Sequence, residues 1–388
     1  MRMIRGVVLA VVAVGAAACS SGGTSTSAPS PAVSTQTSVA PGSEATPASS
    51  GPQDCDGRYL GQFTLRQKLA QLLTVGVKGE TDALNVVRNE QVGGIFIGSW
   101  TDQTLLSGGL TDVQGAAKVP VMVTIDEEGG RVSRVANLIG SQPSARVIAQ
   151  TMSPDEFYNQ SLARAKKLRD LGITVDFAPD TDVSDQPDDS VIGDRSFSSD
   201  PEVVTTYAGA FIRALHDAGV GTVIKHFPGH GHGSGDSHTG AVQTPPLDQL
   251  QQVDLVPFRN LVGSGSAVMV GHLDVPGLTS PGVPASISPQ AMQLLREGTG
   301  YGAQPFDGVI FTDDLSGMAA ITNRMDISDA VATALEAGAD EALWISTDQL
   351  SAVLDHLVGE VQSGKLPQAQ VDASVLRVAT FKGIAPRC

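Results

Sequence analysis

Eight short apolar runs recur along the chain, and they constrain its fold more than any other feature. They cover residues 72–77, 94–98, 119–125, 172–177, 219–225, 267–271, 309–312 and 341–346. Each is rich in Val, Ile and Leu and is largely unbroken by polar residues. A strand with one wet face alternates; an unbroken apolar run suits a parallel strand covered on both faces. Helix signals lie between most of them. Ser153-Pro154-Asp155-Glu156 has the form of a capping box with Pro at the first helical position. Asp200-Pro201 opens another helix, with Val203, Val204, Tyr207, Phe211 and Leu215 as its apolar stripe, and Ser288-Pro289 opens a third. Leu247, Leu250, Val253, Leu261 and Val262 also recur near helical spacing, with a break in rhythm around Pro257. Strand and helix in alternation, eight times over, predict a single α/β domain of the (β/α)8 TIM-barrel type. A doubly wound open sheet is the alternative. The count of eight and the scarcity of leftover sequence favour the barrel.

Outside the barrel the chain changes character. Residues 1–18 read as a secretory signal peptide: Arg2 and Arg5, an apolar stretch over 7–14, then small residues. Ala16-Ala17-Ala18-Cys19 is similar to a bacterial lipobox, which would place lipid on Cys19, although Ala16 stands where Leu is usual. An ordinary cleaved signal followed by a chance cysteine is the other reading. The apolar run is short for a membrane span, whereas a diacylated cysteine carries enough hydrocarbon for stable anchoring. Residues 19–53 are Ser, Thr, Pro, Ala and Gly with almost no large apolar side chains. Such a segment buries no core and is expected to be a disordered tether. Residues 54–388 are then the barrel. With Cys19 lipidated, Cys55 and Cys388 remain, and an exported chain favours their pairing as a disulfide that joins the two ends of the folded body; two free thiols are the alternative. The formal net charge is −16, without a basic run, which repels nucleic acid and anionic membrane surfaces. Membrane contact is therefore expected through the lipid alone, at the outer face of the cytoplasmic membrane. A monomer is expected. Aromatic residues make up 4% of the chain, which argues against a long aromatic-lined polysaccharide groove.

In a barrel, chemistry gathers at the C-terminal ends of the strands, and polar residues cluster there. After the third run come Asp126-Glu127-Glu128-Gly129-Gly130-Arg131 and Arg134; after the fourth, Asp176, Asp180, Asp182 and, further on, Arg195. The fifth leads into Lys225-His226-Phe227-Pro228-Gly229-His230-Gly231 and then Asp236-Ser237-His238. The sixth leads into His272 and the seventh into Asp313-Asp314. Taken singly, Asp126 or Arg195 reads as a cap or a surface ion pair, and a lone histidine as a satisfied structural group. Asp180, Asp182, Asp185, Asp188 and Asp189 read as a solvated acidic loop, and they lack the glycine and terminal Glu of a calcium loop. His226, His230, His232 and His238 lack zinc-site spacing, so no metal or other cofactor is expected. There is no G-x-S-x-G elbow and no phosphate-binding loop. These residues suit acid–base and nucleophilic chemistry on a hydroxyl-rich ligand. Asp313 and Asp314 are rival nucleophiles. Neighbours on a strand point to opposite sides, so one should face the pocket and the other the surrounding shell.

Three segments resemble glycoside hydrolase family 3, in its NagZ-type β-N-acetylglucosaminidase branch, and among these the actinobacterial single-domain lipoproteins. They are Ile125-Asp126-Glu127-Glu128-Gly129-Gly130-Arg131-Val132, the stretch from Lys225 to Gly231 with Asp236-Ser237-His238, and the strand from Phe306 through Asp313-Asp314 to Ser316. The resemblance implies Asp313 as nucleophile, His238 as general acid/base and Asp236 as its partner. It implies Asp126, Arg134, Arg195, Lys225 and His226 as the residues that hold the sugar. The implied reaction is retaining hydrolysis of terminal β-linked N-acetylglucosamine through a glycosyl-enzyme on Asp313, with a muropeptide fragment as the substrate of an exported, tethered enzyme. Phosphorolysis by the same residues, and a lipid-anchored sugar-binding protein without activity, are the alternatives.

Overall fold

A computed structural model of the protein describes residues 52–386. Cys19, the signal and tether sequences and Cys388 lie outside the described residues; Cys55 is buried near the start of the first helix, Pro52–Leu60. Among the described residues, no helix is long and apolar enough to cross a membrane.

The barrel strands are β1 (Leu73–Gly76), β2 (Gly94–Ile97), β3 (Met122–Ile125), β4 (Val175–Asp176), β5 (Gly221–Phe227), β6 (Ala267–Val270), β7 (Ile310–Thr312) and β8 (Ala342–Trp344). All eight fall within or overlap the apolar runs. Each of β1 to β6 pairs in parallel with the next strand, and β8 returns to pair with β1, with Leu73 opposite Ala342. A parallel bridge between Phe311 and Glu341 joins β7 to the entry of β8, with Leu315 N donating to Leu343 O at 3.0 Å. The ring therefore closes and leaves no open edge.

The continuous apolar character has its cause in this closure. One face of every strand fills the barrel and the other lies under helices, so both sets of side chains leave water. Phe96 of β2, Phe177 just past β4 and Phe311 of β7 touch in series, with ring centroids 5.8 and 5.3 Å apart. Each ring so buried contributes about 2–3 kcal/mol of transfer free energy. Together they give the ligand cavity a rigid floor.

The helix starts follow their sequence signals. Ser153 Oγ accepts from Glu156 N, and Glu156 Oε2 accepts from Ser153 N at 2.8 Å, at the head of helix Pro154–Asp170. Asp200 caps Pro201–Asp217, and Ser288 caps Pro289–Glu297. The irregular rhythm near Pro257 resolves into two short helices, Leu247–Leu250 and Leu255–Leu261. Pro257 sits in the first turn of the second, where its missing N–H goes unneeded. A further parallel pair, Val242–Gln243 with Leu273–Asp274, ties the long loop after β5 to the loop after β6. Two-residue strands leave no periodicity to read.

Candidate active site

The C-terminal mouth of the barrel holds a cavity of about 270 Å³. Asp126, Arg134, Arg195, Lys225, His226, His238 and Asp313 all line it. Asp236 stands behind His238, with its Oδ1 2.7 Å from His238 Nδ1 and 2.9 Å from His238 N. Residues from the ends of four strands, β3, β4, β5 and β7, thus meet around one space.

The charged half of the cavity is organised by Glu128, which the sequence reading quoted in its motif without giving it a role. Its carboxylate receives Arg195 Nε and Nη2 side by side and takes Lys225 Nζ at 2.7 Å. Lys225 Nζ also reaches Asp126 Oδ1 at 2.7 Å, and Arg134 Nη2 lies 3.5 Å from Asp126 Oδ2. Burial would raise the Glu128 pKa, but Arg195 and Lys225 outweigh it and hold the carboxyl far below the usual range. Burial likewise works against the Lys225 ammonium, and Asp126 and Glu128 outweigh it. Glu128, Arg195 and Lys225 are therefore charged at neutral pH. Their remaining donors and acceptors suit a polar, hydroxyl-rich ligand.

The adjacent Glu127 has a different task. It is buried, accepts Arg134 N at 2.7 Å and Val135 N at 3.1 Å, and is paired with Arg164. Its own N–H donates to Asp176 Oδ1 at 2.9 Å, and burial drives the Asp176 carboxyl well above its ordinary value. This pair fixes the loop that carries Asp126 and Glu128.

The acidic run after β4 is a solvated loop only in part. Asp185, Asp188 and Asp189 are exposed, but Asp180 and Asp182 are buried. The physical reason is the backbone above them: Asp182 Oδ1 accepts His226 N at 3.2 Å and His230 N at 2.6 Å, and its Oδ2 lies 2.7 Å from His226 Nδ1. A carboxylate with three such partners is satisfied without water. Gly231 makes the approach possible, since a Cβ there would stand 1.9 Å from Val183 O. Burial, then the neighbouring Asp182, pushes the Asp180 carboxyl up to about 8 despite Arg195. Burial and Arg195 push His226 down to about 4. His226 is thus a neutral imidazole, with Nδ1–H donating to Asp182 Oδ2 and Nε2 left to face Arg195.

Asp313 follows the last residue of β7 and is buried at the cavity wall. Burial raises its pKa, and His226, His272, the Asp314 N–H and Lys225 together bring it below the ordinary value. Because His226 is itself neutral near pH 7, its share fades there, while the 2.9 Å hydrogen bond from Asp314 N and the Lys225 charge persist. Asp314 also lines the cavity, contrary to the simple in-and-out alternation, because both residues lie beyond the strand's end. Its carboxylate is occupied: Oδ1 accepts Ser316 N and Ser316 Oγ, each at 2.9 Å, and Oδ2 accepts Gly317 N at 2.8 Å. His272 is a satisfied structural group, between Ser286 Oγ at 2.6 Å and Asp314 O at 2.7 Å.

The four histidines of the β5 loop are dispersed among different partners. His226 and His230 lie over Asp182, His232 Nδ1 meets Asp254 Oδ1 at 2.8 Å, and His238 meets Asp236. Ligand atoms of Asp180, Asp182 and His226 lie within 4.8 Å of one another, a spacing that a small cation could use. Arg195 already brings its charge there, 3.4 Å from Asp180 Oδ2 and 3.5 Å from His226 Nε2. The turn bearing His238 rests on the loop after β7: Ala320 N donates to Ser237 O at 3.1 Å, and Ser237 Oγ lies 3.3 Å from Met318 Sδ.

A closed parallel barrel with an ionised aspartate, a carboxylate–imidazole pair and a charged hydroxyl-binding half defines an enzyme of the glycoside hydrolase class. Residues 64–381 match the glycosyl hydrolase family 3 N-terminal domain, and the chain belongs to that family. It is 54% identical to the beta-hexosaminidase LpqI of Mycobacterium tuberculosis, over 98% of each chain. The structure of M. tuberculosis LpqI superposes with a TM-score of 0.83 at 55% identity, covering 86% of this chain and 98% of that one. A family 3 glycosyl hydrolase from Mycobacterium smegmatis gives a TM-score of 0.81 at 59% identity, over 82% and 97% of the two chains.

Proposed function

We propose that the protein is a retaining exo-β-N-acetylglucosaminidase that removes terminal β-linked N-acetylglucosamine from muropeptide fragments. The observation that carries this reading is the meeting of Asp313 and His238 at one cavity, beside a half lined by Asp126, Glu128, Lys225 and Arg195. Likeness to proteins named beta-hexosaminidase supports the sugar. A family 3 β-N-acetylglucosaminidase of Paenibacillus, with a TM-score of 0.77 at 32% identity, supports it too.

In this mechanism the anomeric carbon lies over Asp313. The carboxylate attacks, the bond to the leaving oxygen breaks, and His238 gives that oxygen its proton. A water then attacks the glycosyl-enzyme, His238 takes the water's proton, and Asp313 is released. Asp236 orients the imidazole through the 2.7 Å contact with its Nδ1. Its own pKa is lowered: partial burial works against this, and the His238 N–H and imidazole outweigh it. Anchoring through Cys19 would place the enzyme at the outer face of the cytoplasmic membrane, where wall fragments arise.

The test is release of product from a chromogenic β-N-acetylglucosaminide and from N-acetylglucosaminyl-anhydromuramic acid, with Asp313→Asn as control. Turnover of both, lost in the variant, supports the reading. Absence of turnover, or a sugar 1-phosphate product that requires added phosphate, overturns it. Loss of membrane association in Cys19→Ala tests the anchor.

A further inference from the structure

The cavity lining divides by chemistry. The loops after β3, β4 and β5 supply its cations and most of its other charged groups. The lining residues from β2, β8 and the segments that follow them are all apolar, Phe96, Trp100, Leu343 and Ile345, and Met318 joins them from the loop after β7, beyond Asp313 and Asp314. Among all the lining residues only Trp100, His238 and Gly317 are exposed. An imidazole and an indole therefore mark the cavity's mouth.

Trp100 is unusual for this chain. Among the described residues the exposed large apolar side chains are Trp100, Leu138 and Val147, and Trp100 is the aromatic one, 43% exposed. Its seat is specified by its neighbours. Phe96 packs against it at a centroid distance of 5.9 Å, and a Cβ on Gly98 would stand 2.3 Å from the indole ring. The benzo ring thus rests on bare backbone that only glycine provides. A rigid aromatic surface costs little conformational entropy when a ligand covers it.

We propose that Trp100 is the platform of a single leaving-group subsite, on which one pyranose ring of the departing sugar stacks. This rests on the glycosidase reading. The charged half provides the donors and acceptors that the hydroxyls of the terminal sugar require. The leaving group must instead lie at the exposed end, where His238 can reach the glycosidic oxygen. A pyranose turns a face of C–H bonds toward one side, and an indole is complementary to that face. With one such platform at the mouth, the subsite holds one sugar, and a third ring gains no further contact.

The test compares kcat/KM for three substrates: N-acetylglucosaminyl β-fluoride, whose leaving group has no ring, and the di- and trisaccharides of β-1,4-linked N-acetylglucosamine. Trp100→Ala is expected to lower kcat/KM for the disaccharide about tenfold, through KM, and to change the fluoride by less than about twofold. Gly98→Ala, which displaces the indole from its seat, should act in the same way, and Trp100→Phe should restore part of the loss. Wild-type protein should cleave the trisaccharide no faster than the disaccharide. Retained fluoride activity also shows that each variant is folded. Equal loss on fluoride and disaccharide, or loss on neither, overturns the subsite and leaves the glycosidase reading intact. Wild-type protein that turns over none of the three overturns that reading and the subsite with it.

Discussion

Arg195 grips Glu128 through two parallel hydrogen bonds of 2.8 Å, from Nε to Oε2 and from Nη2 to Oε1. The pair joins the loop after β4 to the loop after β3 and takes in Lys225 as a third member. Removal of one partner from a buried charged pair strands the other, at about 3–5 kcal/mol. Glu128→Gln should therefore lower kcat/KM by roughly two orders of magnitude, with most of the effect in KM. Arg195→Lys should be nearly as damaging, because an ammonium cannot reproduce the planar fork. Steady-state kinetics on a chromogenic glycoside would check both.

Asp313 and Asp314 should separate cleanly under substitution. Asp313→Asn is expected to abolish turnover while the fold stays intact. Asp314→Asn weakens the turn held through Ser316 and Gly317, so stability should fall by about 1–3 kcal/mol with measurable activity remaining. A 5-fluoro sugar followed by peptide mapping should label Asp313; label on Asp314 would exchange the two roles.

The Asp236–His238 pair predicts a positioning defect. Asp236 Oδ1 accepts His238 N and lies 2.7 Å from His238 Nδ1, so its loss frees the ring to turn. Asp236→Asn should lower kcat/KM for disaccharides by roughly one to two orders of magnitude, in kcat more than in KM. An unchanged kcat would show that other contacts orient the ring. His238→Ala should slow disaccharides far more than aryl glycosides with good leaving groups, since the latter need little protonation.

Burial of Asp180 predicts a stability that declines toward alkaline pH. Its folded-state pKa is raised to about 8 by burial and by Asp182, against an unfolded value of about 3.9. Between these values the folded chain holds a proton that the unfolded chain has lost. Stability from this group is therefore complete below about pH 4 and falls as pH rises toward 8. Thermal unfolding of Asp180→Asn should show a gain over wild type at pH 8.5 that shrinks steadily as pH falls to about 4. An identical pH dependence in the two proteins would refute a protonated Asp180.

Much of this was legible in the sequence because its causes are local. Double-faced burial writes unbroken apolar runs, and caps write Ser-Pro and Asp-Pro, so strands and helix starts were readable. Asp126 and Lys225 were found because they stand at the ends of such runs, and Arg195 because it lies further along the loop after the fourth run. Glu128 and Asp182 were missed as site residues because their roles arise from partners 44 to 97 positions away in the chain: Asp182 meets His226, and Glu128 meets Arg195 and Lys225. The same distance hid the burial of Asp180, since an aspartate among aspartates looks wet until a backbone from another loop covers it. Trp100 was invisible for a simpler reason: one aromatic residue has no period.

The seam between Ser237 and the Met318–Ala320 segment has a consequence for turnover. The turn that carries His238 is moored to chain that begins a few residues past Asp313. Under the mechanism proposed above, any outward swing of that turn to discharge a spent sugar must slip a mooring anchored beside the attacking carboxylate. Departure of product would then be geared to readiness for the next encounter through a backbone hydrogen bond and a thioether contact.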